Sequence, residues 1–192
     1  EITLSIEIGS HPIEFFKSDY IGEFGEEWEE EILPYIQVPQ DLEINWGDGQ
    51  TTNSTTHQYE IEGTYQITIK GTNLTSFIFE NEQVKNIDVT KAPNLVVLSL
   101  YLNEINKLDI SKNTNLTYLM CTNNELSSLD ISNNLTLKLL DCSDNNPFSE
   151  TSFKELLNDL PNRNNSSKGY LYIDNPNNWD VSTAENKGWQ VN

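Results

Sequence analysis

A repeated stretch between residues 71 and 148 decides the fold of this chain. Its copies read GTNLTSFIFENEQVKNIDVTK (71–91), APNLVVLSLYLNEINKLDISK (92–112), NTNLTYLMCTNNELSSLDISN (113–133) and NLTLKLLDCSDNNPF (134–148), and each copy begins 21 residues after the previous one. The copies share three apolar columns, and all but the first copy, which has Glu82 at this position, share an asparagine column. These columns are Leu74, Leu95, Leu116 and Leu137; Phe77, Leu98, Leu119 and Leu140; Phe79, Leu100, Cys121 and Cys142; and Asn103, Asn124 and Asn145.

The spacing of these columns is that of the leucine-rich repeat, L-x-x-L-x-L-x-x-N-x-L. One such coil cannot bury its apolar edge alone, so coils stack and bury this edge against each other. The L-x-L segment is predicted to be a short strand whose flanking side chains point inward and whose middle side chain points outward. The asparagine is predicted to turn the chain after the strand, because its amide can satisfy backbone groups that the turn leaves unpaired.

Composition narrows the class of partner. The chain has 192 residues, a formal net charge of -19 and an isoelectric point of about 4.2. Nucleic acids and anionic membranes both need a basic surface, so neither is predicted as a partner. No apolar run approaches the roughly 18 residues of a membrane-spanning helix. The acidic charge is typical of a soluble, exported protein. Because Glu1 lies at the start of a predicted strand, we expect the chain to have been trimmed there, which makes the missing signal peptide uninformative.

The N-terminal forty residues contain a predicted strand and an aromatic, acidic segment. Residues 2–8 alternate apolar and polar side chains, which predicts the strand. Residues 11–40 interleave aromatic residues with glutamates, and apolar side chains at every fourth position around Trp28 predict a helix over about 25–33. One interpretation is an insertion that presents aromatic side chains or gathers a cation such as calcium. The other is a solvated acidic helix that packs its aromatic side onto the domain. We favour the packed helix, because no D-x-D-x-D-G calcium loop occurs here.

Residues 41–70 carry a second pattern, W-G-D-G followed by H-x-Y and G-x-Y-x-I-x-I. The glycines on both sides of Asp48 predict a tight turn between two strands, and the closing alternation predicts a half-buried strand. This series resembles the polycystic-kidney-disease-type (PKD-like) domain, an immunoglobulin-like β-sandwich of many bacterial surface proteins, over residues 42–71. The resemblance implies that Trp46 lies in the core, that Asp48 forms the turn, and that Tyr59 is a buried ring with a tethered hydroxyl.

The predicted fold class is mainly β, with two parts. Residues 1–70 are predicted to form a PKD-like β-sandwich that acts as the N-terminal cap. Residues 71–192 are predicted to form a leucine-rich-repeat solenoid of parallel strands, with a C-terminal cap from about residue 149. The cap begins with a predicted helix over 152–160, with Ser152 and Glu155 as capping box and Thr151 as a competing N-cap. A predicted strand over 169–173 follows. A second predicted helix starts at Ser182 and ends at Gly188, after which Trp189 packs back onto the cap.

The order of these parts is similar to that of short leucine-rich-repeat surface proteins of the Bacteroidetes type, with internalin-like architecture. The shared features are the PKD-like start, the L-D-I-S repeats, the helix–strand–helix end and the final KGWQVN. The resemblance covers most of the chain. It implies an exported protein, often a cell-surface lipoprotein, whose ligands are mostly unknown.

The outward positions of the repeat strands form the predicted binding face. Parallel strands stand about 4.8 Å apart, so these residues make three short rows across the coils, with an apolar centre and acidic margins. An apolar, aromatic centre with a polar rim is typical of a protein-binding patch. The alternative is an ordinary short sheet that is partly covered by loops or by an oligomer partner. The residues predicted to bind are Ile78, Val97, Tyr101, Tyr118, Met120, Leu139 and Asp141.

Two further columns have a predicted structural role. Cys121 and Cys142 occupy one inward column and are predicted to be buried thiols, with a disulfide or a two-thiol metal site as alternatives. Asp88, Asp109 and Asp130 stack in another column, where they are predicted to cap backbone N–H groups of their own turns rather than to share a cation. No metal site and no cofactor is predicted.

The first hypothesis for the function is a bacterial protein-binding or adhesion module, on the cell surface as an outer-membrane lipoprotein or secreted. The alternatives are a structural spacer and a glycan-binding accessory protein of the cell envelope, the latter with Tyr20 and Trp28 as a sugar platform. The expected partner is a protein or glycan ligand on a host or on the own envelope, and the membrane is reached only through an upstream lipid anchor. No enzyme is predicted, because the candidate acid–base pair Asp48 and His57 lacks a nucleophile or second carboxylate at a diagnostic spacing.

Overall fold

The computed structural model describes residues 1–8, 12–16, 32–165, 167–175 and 178–192. The predicted helix over about 25–33 lies outside these residues except for its last two positions, and Tyr20 and Trp28 lie outside them as well. The helices and strands are β1 (Ile2–Ile8), β2 (Ile13–Glu14), a 3-10 turn (Leu33–Tyr35), β3 (Glu43–Asn45), β4 (Thr51–Thr52), β5 (Thr56–His57), β6 (Gly63–Lys70), β7 (Ser76–Ile78), β8 (Val84–Asp88), β9 (Val97–Ser99), β10 (Tyr118–Met120), β11 (Leu139–Asp141), α1 (Glu150–Asp159), β12 (Gly169–Tyr172), α2 (Ser182–Glu185) and β13 (Trp189–Val191).

The N-terminal part is built on a five-stranded antiparallel sheet in the order β4-β3-β6-β1-β8. Strand β1, which lies between β6 and β8, is the predicted strand over residues 2–8, and it pairs along its whole length with β6. The edge strand β8 comes from the first repeat, where Ile87 lies opposite Leu4. The sheet therefore continues across residue 70. The described residues also form a two-stranded ladder of β2 and β5, while the immunoglobulin-like sandwich and the domain boundary stay predictions.

The repeats form a six-stranded parallel sheet in the order β13-β12-β11-β10-β9-β7. Leu119 lies opposite Leu98 on one side and opposite Leu140 on the other, so the leucines of one column sit on top of each other as predicted. The predicted strand over 169–173 is β12, which places Leu171 next in the same column. The sixth strand, β13, was not predicted. The fold is therefore a mainly β leucine-rich-repeat solenoid, by the register of its own strands.

Aromatic side chains close the N-terminal end of the solenoid. The ring of Phe15 lies 4.2 Å from that of Phe79, 5.7 Å from that of Phe77 and 5.4 Å from that of Trp46, measured between centroids. All four rings are buried in one continuous core that runs from β1 to the C-terminal cap. Phe15 of the N-terminal part therefore packs against Phe77 and Phe79 of the first coil, while the cap role of residues 1–70 stays a prediction.

The C-terminal end is closed by α1 and by the last strand. Phe153, Leu156 and Leu157 on α1 are buried, as its amphipathic pattern predicts. The predicted N-cap was wrong: the N-cap is Ser149, three residues before Ser152, and α1 begins at Glu150. The side chain of Ser149 accepts a hydrogen bond of 3.0 Å from the backbone N–H of Ser152. Trp189 in β13 is buried as expected and donates its indole N–H to a main-chain carbonyl.

The asparagine column joins each coil to the coil before it. The Oδ1 atom of Asn124 accepts a hydrogen bond of 3.0 Å from the backbone N–H of Ile105, and its Nδ2 atom donates to carbonyls of both coils. Asn103 does the same for Val84, and Asn145 does it for Leu126. The predicted structural role of this column is therefore confirmed by the hydrogen bonds, which bridge coils as well as turning the chain.

The asparagine ladder ends at Asn145, because the fourth coil has no backbone N–H at the matching position for a further asparagine to accept from. The position that follows Leu126 by one repeat is Pro147, which has no N–H group to satisfy. A second asparagine ladder, which the sequence analysis missed, lies elsewhere in the coil: Asn134 donates to the carbonyls of Ile110 and Asn113 at 3.2 and 2.9 Å. Both of these asparagines are fully buried, so the coils are held together by side-chain amides at two positions.

Candidate binding face

The predicted face lies on the parallel sheet, opposite to the inner core. In each repeat strand the residue next to an inward leucine points away from the solenoid interior. Paired strands then align these residues into rows, with Val97, Tyr118 and Leu139 opposite one another and Met120 opposite Asp141. We call the apolar members of these rows the concave row. The concave row consists of Ile78, Val97, Tyr118, Met120 and Leu139.

The concave row is covered rather than open to solvent. Its five side chains have 0% exposure, and Asp141 beside it has 2%. The binding-face hypothesis implied an exposed face, and this part of it is wrong; the burial agrees with the alternative of a short sheet that is partly covered by loops. The reason is that an outward strand position leaves the solenoid interior but does not determine what lies over it. The role of these residues in binding stays a prediction.

The residues over the face include the chain's own residues 32–37, which we call the crossing segment. Ile32 has 0% exposure and belongs to one apolar cluster with the concave row. Ile36 packs against the same cluster, and the ring of Tyr35 lies 6.1 Å from the ring of Tyr118. The crossing segment thus supplies apolar contacts to the centre of the face.

Few polar contacts hold the crossing segment on the described residues. The hydroxyl of Thr75 donates to the carbonyl of Tyr35 at 3.2 Å, and the backbone N–H of Gln37 donates to the hydroxyl of Ser76 at 3.3 Å. In the ranges that the structure describes, no backbone–backbone hydrogen bond connects the crossing segment to the repeat sheet. Its attachment therefore rests mainly on side-chain packing.

The concave row is separate from the core that stabilises the coils. The inner leucine and phenylalanine columns belong to one cluster that runs through the whole molecule. The concave row and Ile32 form a second cluster on the other face of the sheet. A solenoid needs only the inner cluster to stack its coils. The second cluster is an additional apolar surface that requires a cover.

The polar margin of the face is engaged within the chain. The carboxylate of Asp141 accepts hydrogen bonds from the backbone N–H and the hydroxyl of Ser143 at 3.1 and 2.6 Å. That hydroxyl lies 2.9 Å from the hydroxyl of Thr122. On the first coils, the hydroxyl of Ser99 donates to the carboxylate of Glu80. Asp141 is therefore a buried, hydrogen-bonded carboxylate and not a free acidic group.

Tyr101 is the predicted binding residue that keeps contact with solvent. It is half-buried and lines a cavity of about 330 Å³ beside the face. The rest of that wall is formed by three glutamates, the exposed side chain of Leu102, Pro12 and Asn81. The carboxylates in this lining are those of Glu14, Glu80 and Glu82.

A second cavity, of about 530 Å³, lies between the fourth coil and β12. Phe148 and Ile173 line its apolar side, and acids and amides line the other. The carboxylate of Asp174 accepts a hydrogen bond of 2.7 Å from the backbone N–H of Asp144. The amide of Asn175 is bonded at both ends to backbone atoms of a neighbouring loop. The Asp174 bond joins the C-terminal cap to the fourth coil, whereas the Asn175 bonds to Trp179 lie within the cap.

The structure assigns structural roles to the other candidate groups. Cys121 and Cys142 are free, buried thiols, and burial raises the pKa of both.

The aspartate column caps its own turns. Asp88, Asp109 and Asp130 each accept a hydrogen bond from the backbone N–H two residues later, as predicted. Hydrogen bonds from the neighbouring Thr or Ser hydroxyl and backbone lower the pKa of each of these carboxyls. Among the residues that the structure describes, no cluster of three potential ligands for a metal ion is found.

The Asp48 and His57 side chains do meet. The imidazole of His57 lies 2.8 Å from the carboxylate of Asp48 and stacks on the ring of Trp46 at 4.6 Å. Burial opposes ionisation of Asp48, but the N–H of Gln50 and the imidazole outweigh it and hold the pKa of that carboxyl below its usual range. The hydroxyl of Tyr59 donates to the main-chain carbonyl of Trp46 at 2.7 Å. This group ties a hairpin to the core.

The sequence analysis missed the residues that cover the concave row. Ile32 was assigned to the apolar side of a helix, and Tyr35 and Ile36 had no predicted role. The available signal was an uncharged apolar run, ILPYI, that follows a strongly acidic segment.

None of the helices in the described part of the chain has the length and apolar character needed to cross a membrane.

Comparison with known proteins gives partial structural matches. No family model matches the sequence, and no curated protein matches it. The chain is similar to the functional domain of InlJ from Listeria monocytogenes, described as including a cysteine ladder, with 26% identity, a TM-score of 0.37, and coverage of 60% of this chain and 38% of that chain. It is also similar to an internalin, inlF, from Listeria monocytogenes strain 4b F2365, with 21% identity, a TM-score of 0.43, and coverage of 61% and 42%.

The chain thus spans about two fifths of the length of both internalin structures. The PKD-like resemblance of residues 42–71 and the resemblance to Bacteroidetes proteins stay predictions. The comparisons therefore report internalins as partial structural neighbours of this chain.

Proposed function

We propose that this chain is a protein-binding module of the adhesion type, and that the concave face of its repeats is the contact surface. The observation that carries the proposal is the second apolar cluster, which lies on the outside of the solenoid and apart from its core. Adhesion at a cell surface, as an exported or lipid-anchored protein, is the setting that the sequence resemblance implies.

The residue types of the concave row support a role in docking. A buried Val, Leu, Met or Ile side chain is worth about 1.5–3 kcal/mol relative to leaving it exposed. The concave row has five large apolar side chains at positions where polar residues would serve the stacking of the coils equally well. Apolar side chains at these positions gain free energy only when another apolar surface covers them. This is the property of a docking surface.

The charge around the face favours a partner with a neutral or basic rim. The net charge is -19, and the cavity beside Tyr101 is lined by three glutamates. Like charges across an interface cost several kcal/mol, and complementary charges raise the association rate. We therefore propose a protein partner with an apolar centre and a basic margin. The spacer and glycan-binding alternatives stay predictions, since nothing in the described residues favours either.

The experiment that tests the proposal has two stages. Immobilised protein is first used to capture partners from host extracellular protein and from the envelope of the producing organism. The dissociation constant of the purified partner is then measured for the wild type, for Tyr118→Ala and for Leu135→Ala. Leu135 is 67% exposed and outside the concave row, so it is the matched control for removing a large side chain.

The expected result is a loss of affinity of about 30-fold for Tyr118→Ala, the size of a typical interface hot spot. Leu135→Ala should bind as the wild type does. Circular dichroism confirms that both variants remain folded. Equal affinities for all three proteins would show that the partner uses another surface.

A further inference from the structure

We infer that the concave row accepts a segment of a partner protein that forms a single helical turn. This segment carries an aliphatic side chain, an aromatic side chain three residues later and an aliphatic side chain directly after the aromatic one. The crossing segment occupies this position until such a partner segment displaces it. The inference rests on the proposed function and adds the chemistry of the partner to it. It also makes residues 32–37 a built-in competitor of that partner.

The first support is the way in which the crossing segment fills the face. Ile32 precedes the 3-10 turn Leu33–Tyr35, and Ile36 follows it. Side chains three and four residues apart lie on the same side of a helical turn, so Ile32, Tyr35 and Ile36 face the sheet together. Ile32 is fully buried, whereas Tyr35 is 41% exposed, which identifies Ile32 as the anchor and Tyr35 as a partial contact.

The second support is the absence of main-chain pairing between this segment and the sheet in the described residues. A segment that lies across the face of a sheet cannot add to its ladder, because the backbone groups of the strands point within the sheet plane. Replacing the segment by another with the same side chains therefore breaks no strand pairing. The described polar contacts that would be lost are the two at Thr75 and Ser76.

The third support is the composition of the crossing segment. Its sequence, ILPYIQ, has no charged residue in a chain of net charge -19. Pro34 fixes its own φ and restricts the residue before it, so the segment loses less conformational freedom when it docks than a segment without proline would. A low entropy cost of ordering is what makes a short segment an effective ligand. The lack of charge and the low entropy cost of ordering are therefore properties that a ligand of the concave row would also have.

The test uses a fluorescently labelled synthetic peptide with the sequence of residues 32–40. Its binding is measured by anisotropy on the wild type, on Ile32→Ser and on Val38→Ser. Val38 is 48% exposed and belongs to the same part of the chain, so its substitution is the matched control. If the crossing segment leaves the concave row open for only a fraction of the time, the apparent affinity for the peptide is reduced by that fraction. We expect Ile32→Ser to bind the peptide at least about tenfold more tightly than the wild type and Val38→Ser to match the wild type.

A peptide with Ser at the position of Ile32 should not bind any of the three proteins. Unchanged affinity of the Ile32→Ser variant for the native peptide would overturn the inference. It would leave the proposed function in place if the Tyr118→Ala variant still lost the captured partner. Conversely, peptide binding without any captured partner would support the acceptor site and refute the proposed function.

A second measurement does not depend on a variant. Hydrogen exchange of the wild type is followed with and without an excess of the peptide. We expect the amides of the crossing segment to exchange faster when the peptide is present, while the Leu119 amide in β10 is unaffected. Exchange of the crossing segment only together with β10, at the rate of global unfolding, would show that the segment is a fixed part of the core and would refute the inference.

Discussion

Removal of the Asn124 side chain should cost a large part of the stability of the solenoid. Asn124 is 8% exposed and sits in the middle of the asparagine ladder, with a coil on each side. The substitution considered is Asn124→Ala. Its matched control is Asn133→Ala, because Asn133 is exposed and bonds only to the neighbouring hydroxyl of Ser132 among the described residues.

The magnitude follows from the hydrogen bonds that are lost. The N–H of Ile105 has Asn124 as its partner and would become a buried donor without an acceptor. Each of the three carbonyls that receive Nδ2 keeps a second donor: Leu100 and Cys121 keep the neighbouring ladder asparagines, and Thr122 keeps a backbone N–H. An orphaned buried donor costs about 1–3 kcal/mol, and a lost but replaceable bond costs about 0.5–1.5 kcal/mol. We therefore expect a loss of about 2–4 kcal/mol.

The assay is urea denaturation followed by tryptophan fluorescence. Trp46 and Trp189 are buried at opposite ends of the continuous core, so the signal reports on both ends of the molecule. With an m value of about 2 kcal/mol per M, the expected loss of about 2–4 kcal/mol lowers the midpoint by about 1–2 M. Asn133→Ala should stay within about 0.5 kcal/mol of the wild type.

A midpoint for Asn124→Ala that matches the control would refute the reasoning. It would mean that the backbone groups of the turn find other partners when the amide is removed. Asn124→Asp separates the two halves of the argument, since the carboxylate keeps an acceptor for Ile105 but loses the donor and faces three carbonyl oxygens. It should be at least as destabilising as the alanine variant.

Three further outcomes are expected. Gly169→Ala should lose about 1–3 kcal/mol in urea denaturation, because the added Cβ would lie 2.5 Å from the ring of Trp189, and an unchanged midpoint would contradict this packing. Tyr59→Phe should lose about 1 kcal/mol in the same assay, because its hydroxyl donates to a buried main-chain carbonyl. The pKa of Asp109, which the Ser111 hydroxyl and N–H lower, should rise in Ser111→Ala when measured by NMR; this carboxylate contributes stability above its unfolded pKa, and that contribution is lost as the pH falls through its folded pKa.

The repeat region was predictable because its physics is periodic. A column of leucines at a fixed spacing admits one register, and Leu98, Leu119 and Leu140 occupy it. The asparagine role followed from the same period, since the amide has to satisfy the turn of every coil. The start of α1 was missed because Ser149, Thr151 and Ser152 are all acceptable caps, and only the backbone geometry selects between them.

The state of the candidate face was not predictable in the same way. The sequence places Tyr118 and Met120 outside the coil, but the residue that covers them, Ile32, lies more than sixty positions upstream and outside the repeats. No periodic signal connects such distant segments. The strand β13 was missed for a related reason, since three residues around Trp189 gain their pairing only from a strand that is already in place.

The direction of the asparagine ladder makes each coil depend on the coil that follows it in the chain. The N–H of Val84 is satisfied by Asn103, and that of Ile105 by Asn124, so each coil is completed by residues of the next one. A solenoid shortened from its C-terminal side within the repeats would therefore leave a backbone amide of its last coil without an acceptor. Pro147 ends this dependence, because the last coil has no amide hydrogen at that position and can close without one more repeat.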